Sequence, residues 1–363
     1  MTPATPVIVQ PTASPLPSRL YRRRAVLALA CLLSCLLAIA ATPASAQSGP
    51  AAPALPQAVP TGTRIVIADD ANHVQVLLRL SGENTKLAAK VDYANFSSGP
   101  LRLEAIRAGA AQVGAVGDVP PILAHFSNAN VVIVAAVVSA GDGSVIATSP
   151  ASGIKDLADL KGKRIGVNEG TAQQAILLRN LASVGLAARD VHIVKLGVAE
   201  FADALRAGQI DAAVLKQPDR GRYLASAQRE GARAIPNAPG ANTGLEYLYA
   251  SRAALDDPAQ AAAIRDFVIH WYRATLWRNS HQDAWLQGYL IADQRLKPDD
   301  ARKVLDSQGD GSIPGLDGLI AGQQKTIDLL QAAGAFAGKR LDARDEFDLR
   351  YADLRPDSPT GAP

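Results

Sequence analysis

The stretch Arg64-Ile65-Val66-Ile67-Ala68-Asp69-Asp70-Ala71-Asn72-His73 sets the pattern for the chain. Its first half is a short, β-branched apolar run, the length and composition of a buried strand. Its second half is a polar loop. The pattern recurs: strands are expected at 89–93, 111–116, 131–138, 165–167, 191–194 and 212–215, with helices over 99–108, 119–128, 172–184 and 198–207. Such alternation predicts an α/β fold whose mostly parallel sheets are flanked by helices. From residue 258 the pattern turns helical, over 258–277, 283–292, 298–308 and 315–333, with Asp257 as N-cap and Pro258 in the first turn.

The N-terminal end reads differently. Arg22-Arg23-Arg24 precedes an apolar run, residues 25–41, and then Thr42-Pro43-Ala44-Ser45-Ala46, an A-x-A pattern. A basic region, a short apolar core and a small-residue cleavage site read as a secretory signal over residues 1–46. The run is at the short limit for spanning a bilayer, where about 20 residues are the norm. Twin-arginine export and a lipoprotein anchored at Cys35 are the weaker alternatives. Residues 47–63 read as a flexible Pro/Ala/Gly leader, and 356–363 as a disordered tail.

Four of the 37 Lys+Arg and none of the 34 Asp+Glu lie before residue 47, so the remainder carries 33 basic against 34 acidic residues, a formal −1. The chain's excess positive charge therefore belongs to the export segment and gives no ground for nucleic-acid binding. Cys31 and Cys35 fall in the same segment, which leaves no thiol for a disulfide, a nucleophile or a metal site. No two of the five histidines have metal-ligand spacing on one helix, and no phosphate loop is present, so neither metal nor cofactor is expected.

Ligands on open α/β sheets bind beyond the carboxyl ends of strands. Four loops lie there: 69–73, then Ser97-Ser98-Gly99-Pro100, Gly117-Asp118-Val119-Pro120-Pro121 and Asn168-Glu169-Gly170-Thr171. Three open helices, whose first N–H groups lack partners and sit at the positive end of the dipole. A solute oxyanion can take those N–H groups. Ordinary capping by Ser98, Asp118 and Thr171 is the competing reading for each loop alone.

These blocks resemble the periplasmic substrate-binding proteins of nitrate, sulfonate and taurine ABC transporters. The resemblance is carried by Phe96-Ser97-Ser98-Gly99-Pro100, by Val113-Gly114-Ala115-Val116-Gly117-Asp118-Val119-Pro120-Pro121, by Asp159-Leu160-Lys161-Gly162-Lys163-Arg164-Ile165-Gly166-Val167 and by Ala204-Leu205-Arg206-Ala207-Gly208. It runs in order from about residue 64 to 290. It implies a two-lobed periplasmic-binding-protein fold with two crossovers, lobe one from residues 64–147 and 247–355, lobe two from 148–246. It further implies a periplasmic monomer that carries a small anionic or zwitterionic solute, organosulfonate-like, to an ABC permease by closing its lobes. The cleft positions of relatives fall here on Asp70, Ser98, Gly99, Gly117, Asp118, Gly170 and Thr171.

Where relatives place an aromatic-Asp-Pro segment, this chain has Lys216-Gln217-Pro218-Asp219, which adds Lys216 and Gln217 to the candidates. Asp70 on one lobe and Lys216 on the other would suit a zwitterion; a surface salt bridge is the alternative for Lys216. His73 and Tyr247 are further candidate contacts, while Trp271 and Trp277 read as packing residues. A solute sensor serving a membrane receptor is a second function class. An enzyme is a third, but enzymes of this fold depend on site cysteines that residues 47–363 lack.

Overall fold

The computed structural model describes residues 54–336 and 338–356. The predicted signal, and the predicted tail beyond residue 356, lie outside the described residues. The strands in chain order are β1 (Arg64–Asp69), β2 (Lys90–Asn95), β3 (Val113–Val116), β4 (Val131–Ser139), β5 (Ser144–Thr148), β6 (Arg164–Val167), β7 (His192–Lys195), β8 (Ala212–Lys216), β9 (Ala234–Ile235), β10 (Leu245–Ser251) and β11 (Gly311–Ser312). They form two sheets, one in the order β11-β4-β10-β3-β1-β2 and the other β7-β6-β8-β5-β9. The chain crosses to the second sheet after β4 and returns after β9.

Both sheets are mixed, where alternation alone predicts mostly parallel ones. Strands β1, β2 and β3 are parallel, as are β6, β7 and β8. The antiparallel members flank the crossings: β10 against β3 and β4, β5 against β8 and β9. A chain that leaves a sheet and comes back through the same gap re-enters it running the other way. Strand β5 escaped the sequence reading, because no helix separates it from β4. It moves the first crossing to residues 140–143, ahead of the expected boundary at 147.

The helices are α1 (His73–Ser81), α2 (Gly99–Arg107), α3 (Val119–Phe126), α4 (Ala172–Ser183), α5 (Phe201–Arg206), α6 (Asp219–Ala227), α7 (Arg252–Asp256), α8 (Pro258–Ser280), α9 (Gln282–Trp285), α10 (Pro298–Gln308) and α11 (Leu316–Ala332). Asp257 caps α8 by accepting from Ala259 and Gln260 N–H at 2.9 and 3.0 Å. Helix α1 was not legible as a helix: Asn72 at its N-cap makes no side-chain cap, and the first-turn N–H groups of Val74 and Gln75 go to Asp69, set back in β1.

The first lobe's core centres on Ile65, Ile67, Trp271 and Trp285, all fully buried. Leu55 and Val59, in the stretch expected to be a flexible leader, pack against it. The second sheet carries one apolar cluster around Ile165 and Leu181 and another around Phe201 and Tyr223. A further cluster joins the lobes: Val119 and Ile122 of α3, Ala175 and Leu178 of α4, Ile327 and Leu330 of α11. Each of the Val, Ile and Leu side chains is worth about 1.5–3 kcal/mol when buried, so separating the lobes here exposes apolar surface.

Candidate functional site

A cavity of about 310 Å³ lies between the lobes at the carboxyl ends of β1, β3 and β8. Of the nine residues singled out from sequence, Asp70, Ser98, Gly99, Gly117, Asp118, Thr171, Lys216 and Gln217 border it. Gly170 does not. Its φ is +78°, and a Cβ there would lie 2.8 Å from Leu123 Cδ2 and 3.4 Å from Pro100 Cγ. It is a lobe-to-lobe contact where only a glycine fits.

The two adjacent acids divide their work. Asp69 is fully buried. Its carboxylate accepts from the N–H groups of Asp70, Val74 and Gln75 at 2.7, 3.1 and 3.0 Å, which caps α1. Burial pushes its pKa up against those bonds. Asp70 turns into the cleft and accepts from Lys216 Nζ at 2.8 Å, with Arg102 Nη1 at 3.7 Å. Burial raises the Asp70 carboxyl, but Lys216 and Arg102 outweigh it and hold the group below its ordinary value. Asp70 in turn holds the Lys216 ammonium above its ordinary value. Lys216 keeps 57% of its side-chain surface open, and that surface faces the cavity. Asp70 and Lys216 come from different lobes, so the ion pair spans the cleft.

The helix starts differ in what they can offer. At α2, Ser98 Oγ accepts from Leu101 N–H at 3.5 Å and Pro100 has no N–H, which leaves the Gly99 N–H. At α3, Pro120 and Pro121 remove two donors of the first turn, so only Val119 keeps one. At α4, Thr171 makes no cap. Its hydroxyl donates to Asn168 O at 2.7 Å, and Ala172 and Gln173, both at the cavity wall, keep their first-turn N–H groups open. Open first-turn N–H groups are therefore more numerous at α4, on the two residues that follow Thr171, than at α3.

Asp118 and Gln217 line the cavity but are spoken for. Asp118 Oδ2 accepts from Arg179 Nη2 of the second lobe at 2.6 Å, and its carbonyl accepts from Gln323 at 2.9 Å. Gln217 donates to Ser307 Oγ at 3.1 Å and accepts from Gly221 N–H at 3.0 Å. Gly117 is a contact point: a Cβ there would sit 2.6 Å from Ala172 Cβ, across the cleft.

Sequence reasoning missed Arg102. It is 6% exposed, borders the cavity, donates from Nη1 to Phe96 O at 2.6 Å, and its Nε has no partner among the described residues. An arginine one turn into the helix that follows the candidate loop 97–100 was the available signal. It also missed an aromatic wall. Tyr289, on a π-type turn at Leu286–Ile291, borders the cavity and stacks on Trp285 at 4.3 Å, with His73 edge-on to both. The aromatic surface absent at 216–217 thus comes from the returning segment. Tyr247, by contrast, is fully buried and hydrogen-bonded to Gln323 at 3.3 Å.

The chain is similar to known proteins over the residues that build this fold. A family model described as NMT1/THI5 like matches residues 90–233. A protein of Escherichia coli (strain K12) named for binding aliphatic sulfonates is 32% identical over 163 residues, 45% of this chain and 50% of that protein. The chain thus spans about half the length of that curated relative. The alkanesulfonate-binding protein SsuA from Xanthomonas axonopodis pv. citri, solved bound to MOPS, superposes with a TM-score of 0.71 at 26% identity, covering 80% of this chain and 99% of that one. The chain has the two-lobed periplasmic-binding-protein fold. The periplasmic aliphatic sulphonate binding protein SsuA from Escherichia coli superposes at 0.67 and 24% identity over 79% of this chain and 92% of its own. A desulfurization enzyme, DSZB, shares the fold at 0.56 and 16% identity, over 80% of this chain and 97% of its own.

Proposed function

We propose that this protein is the exported solute-binding component of an ABC importer, taking a small organosulfonate-like anion into the inter-lobe cleft and presenting it to a permease. The observation that carries this reading is the convergence on one cavity of open N–H groups at Gly99, Ala172 and Gln173 with the cations Arg102 and Lys216. These donors come from both lobes, so an anion held by all of them favours the closed form; a solute shifts a two-state equilibrium only by its differential contacts. Sulfonate offers three acceptor oxygens, enough for helix-start amides and cations together. Arg102 and Lys216 supply the charge, and Tyr289 with His73 the surface for an alkyl or aryl tail.

The same geometry recasts the zwitterion expectation. Asp70 is engaged by Lys216 and Arg102, so an incoming sulfonate competes with it for those cations. Reading the protein as a carrier rather than a catalyst rests on the lack of any cysteine in residues 47–363. Export and a periplasmic location rest on the signal pattern of residues 1–46.

Isothermal titration with ethanesulfonate, taurine and nitrate tests the reading. Binding of the alkanesulfonate, weakened by Arg102→Met, is expected. Saturable binding of nitrate but of neither sulfonate would reject the substrate class.

A further inference from the structure

Arg278, near the end of α8, borders the same cavity and is 8% exposed. Among the described residues its side chain makes a single hydrogen bond, from Nη2 to Gly309 O at 3.3 Å, and belongs to no ion pair within 4.0 Å. Burial lowers its pKa, and Glu246 and Asp310 are the charges that oppose this. A guanidinium has five donors, and burying one without a carboxylate or phosphate partner is costly. Gly309 abuts the first crossing, where Gly141 N–H donates to Gln308 O at 3.1 Å. Arg278 therefore stands where the returning segment meets the hinge. The anion site of Arg102 and Lys216 is built instead on α2 and β8.

Glu246 is the neighbour that defines what Arg278 can take. It borders the cavity, 31% of its side chain is open, and among the described residues its one ionisable contact within 4.0 Å is His73 Nδ1 at 3.8 Å. It acts electrostatically on both Lys216 and Arg278. A lone second anion at Arg278 would meet the field of Glu246. A group carrying an acid and an ammonium together answers both residues.

We propose that Arg278 and Glu246 form a second, zwitterion-selective subsite in the cleft, with Arg278 taking a carboxylate and Glu246 an ammonium group of a solute whose sulfonate sits at Arg102 and Lys216. This rests on the sulfonate reading above for its first half only. The ligand class is an amino-acid sulfonate, and the two residues are specificity determinants rather than further anion anchors.

Titration calorimetry with ethanesulfonate, 3-sulfopropanoate, cysteate and alanine on the full mature chain separates the possibilities. Cysteate is expected to bind about tenfold tighter than ethanesulfonate, or more, as befits charge-assisted hydrogen bonds. Arg278→Met is expected to remove that advantage, so that the two solutes bind alike, and Glu246→Gln to remove the preference for cysteate over 3-sulfopropanoate. Arg278→Lys, which keeps the charge, should restore part of the advantage and guards against a folding defect. Equal affinities in the wild type, or an advantage that survives Arg278→Met, overturns the subsite. Binding of alanine but of no sulfonate, lost in Arg278→Met, supports the subsite while rejecting the sulfonate reading. Binding of none of the four solutes rejects both.

Discussion

Removing Arg179 should open the molecule rather than unfold it. Arg179 Nη2 donates to Asp118 Oδ2 and to Thr326 Oγ1, each at 2.6 Å, and Nη1 donates to Ala241 O at 3.3 Å. The pair joins α4 of the second lobe to the start of α3 in the first. Asp118 is 2% exposed in its side chain and Arg179 is 16% exposed. Breaking a buried pair from one side costs about 3–5 kcal/mol, because a charge is left without a partner. Arg179 lies toward the edge of the contact, so the lower figure applies. That cost belongs to the closed arrangement, since parting the lobes returns water to Asp118. A shift of about 3 kcal/mol in closure weakens solute binding by about a hundredfold. Arg179→Met is the perturbation, and titration calorimetry with small-angle scattering of the solute-free protein is the assay. The expected outcome is a large loss of affinity with an increased radius of gyration. Asp118→Asn should cost less, about 1 kcal/mol, because Arg179 keeps Thr326 and the Ala241 carbonyl. Asp118→Asn combined with Arg179→Met should recover part of the loss. Unchanged affinity and radius with a lowered melting temperature would refute the reasoning, and would assign the pair to holding the fold.

Other perturbations test other parts of the cleft. Gly117→Ala places a methyl group against Ala172 Cβ, which the glycine's Cβ position meets at 2.6 Å; solute affinity should fall with the melting temperature intact, and adding Ala172→Gly should restore it. Lys216→Gln should weaken sulfonate binding about tenfold, the lower range of a charge-assisted bond, because the anion must displace Asp70 to gain this lysine; calorimetry at two salt concentrations should show a shallower salt dependence. Away from the cleft, His270 Nδ1 is 2.6 Å from Glu83 and Nε2 is 3.5 Å from Asp266. The Asp266 bond, then the Glu83 bond, raise the imidazole pKa above 6.5 against the effect of burial. A raised folded pKa stabilises fully below the unfolded value and is lost as pH rises through the folded one. Thermal melting should therefore be higher at about pH 6 than at about pH 8, and His270→Gln should shrink that difference.

The strand-helix alternation made the α/β class legible, since a period of two against 3.6 is a local property of the chain. The caps at Ser98 and Asp257 were legible for the same reason. Mixed sheets were not, because strand direction depends on how the chain re-enters a sheet after a crossing, which no local window contains. Strand β5 shows this: five buried residues that follow β4 after a short Gly-Asp-Gly loop, with no helix between to mark a change of sheet.

For the site, the sequence by itself determined which loops lie beyond the strand ends, and those loops do border one cavity. Only the tertiary structure decided what each residue is free to do there. Asp69 and Asp70 are neighbours in sequence, yet one caps a helix and the other meets a lysine 146 positions away. Asp118 and the Gln217 amide nitrogen are taken by distant partners, and Gly170 is held for lobe contact. Arg102 and Arg278 gain importance only because the fold buries them beside a cavity, Arg102 with its Nε unpartnered and Arg278 with no ion pair among the described residues. Availability is set by burial and by long-range pairing. Both are properties of the folded chain, and the order of its residues does not display them.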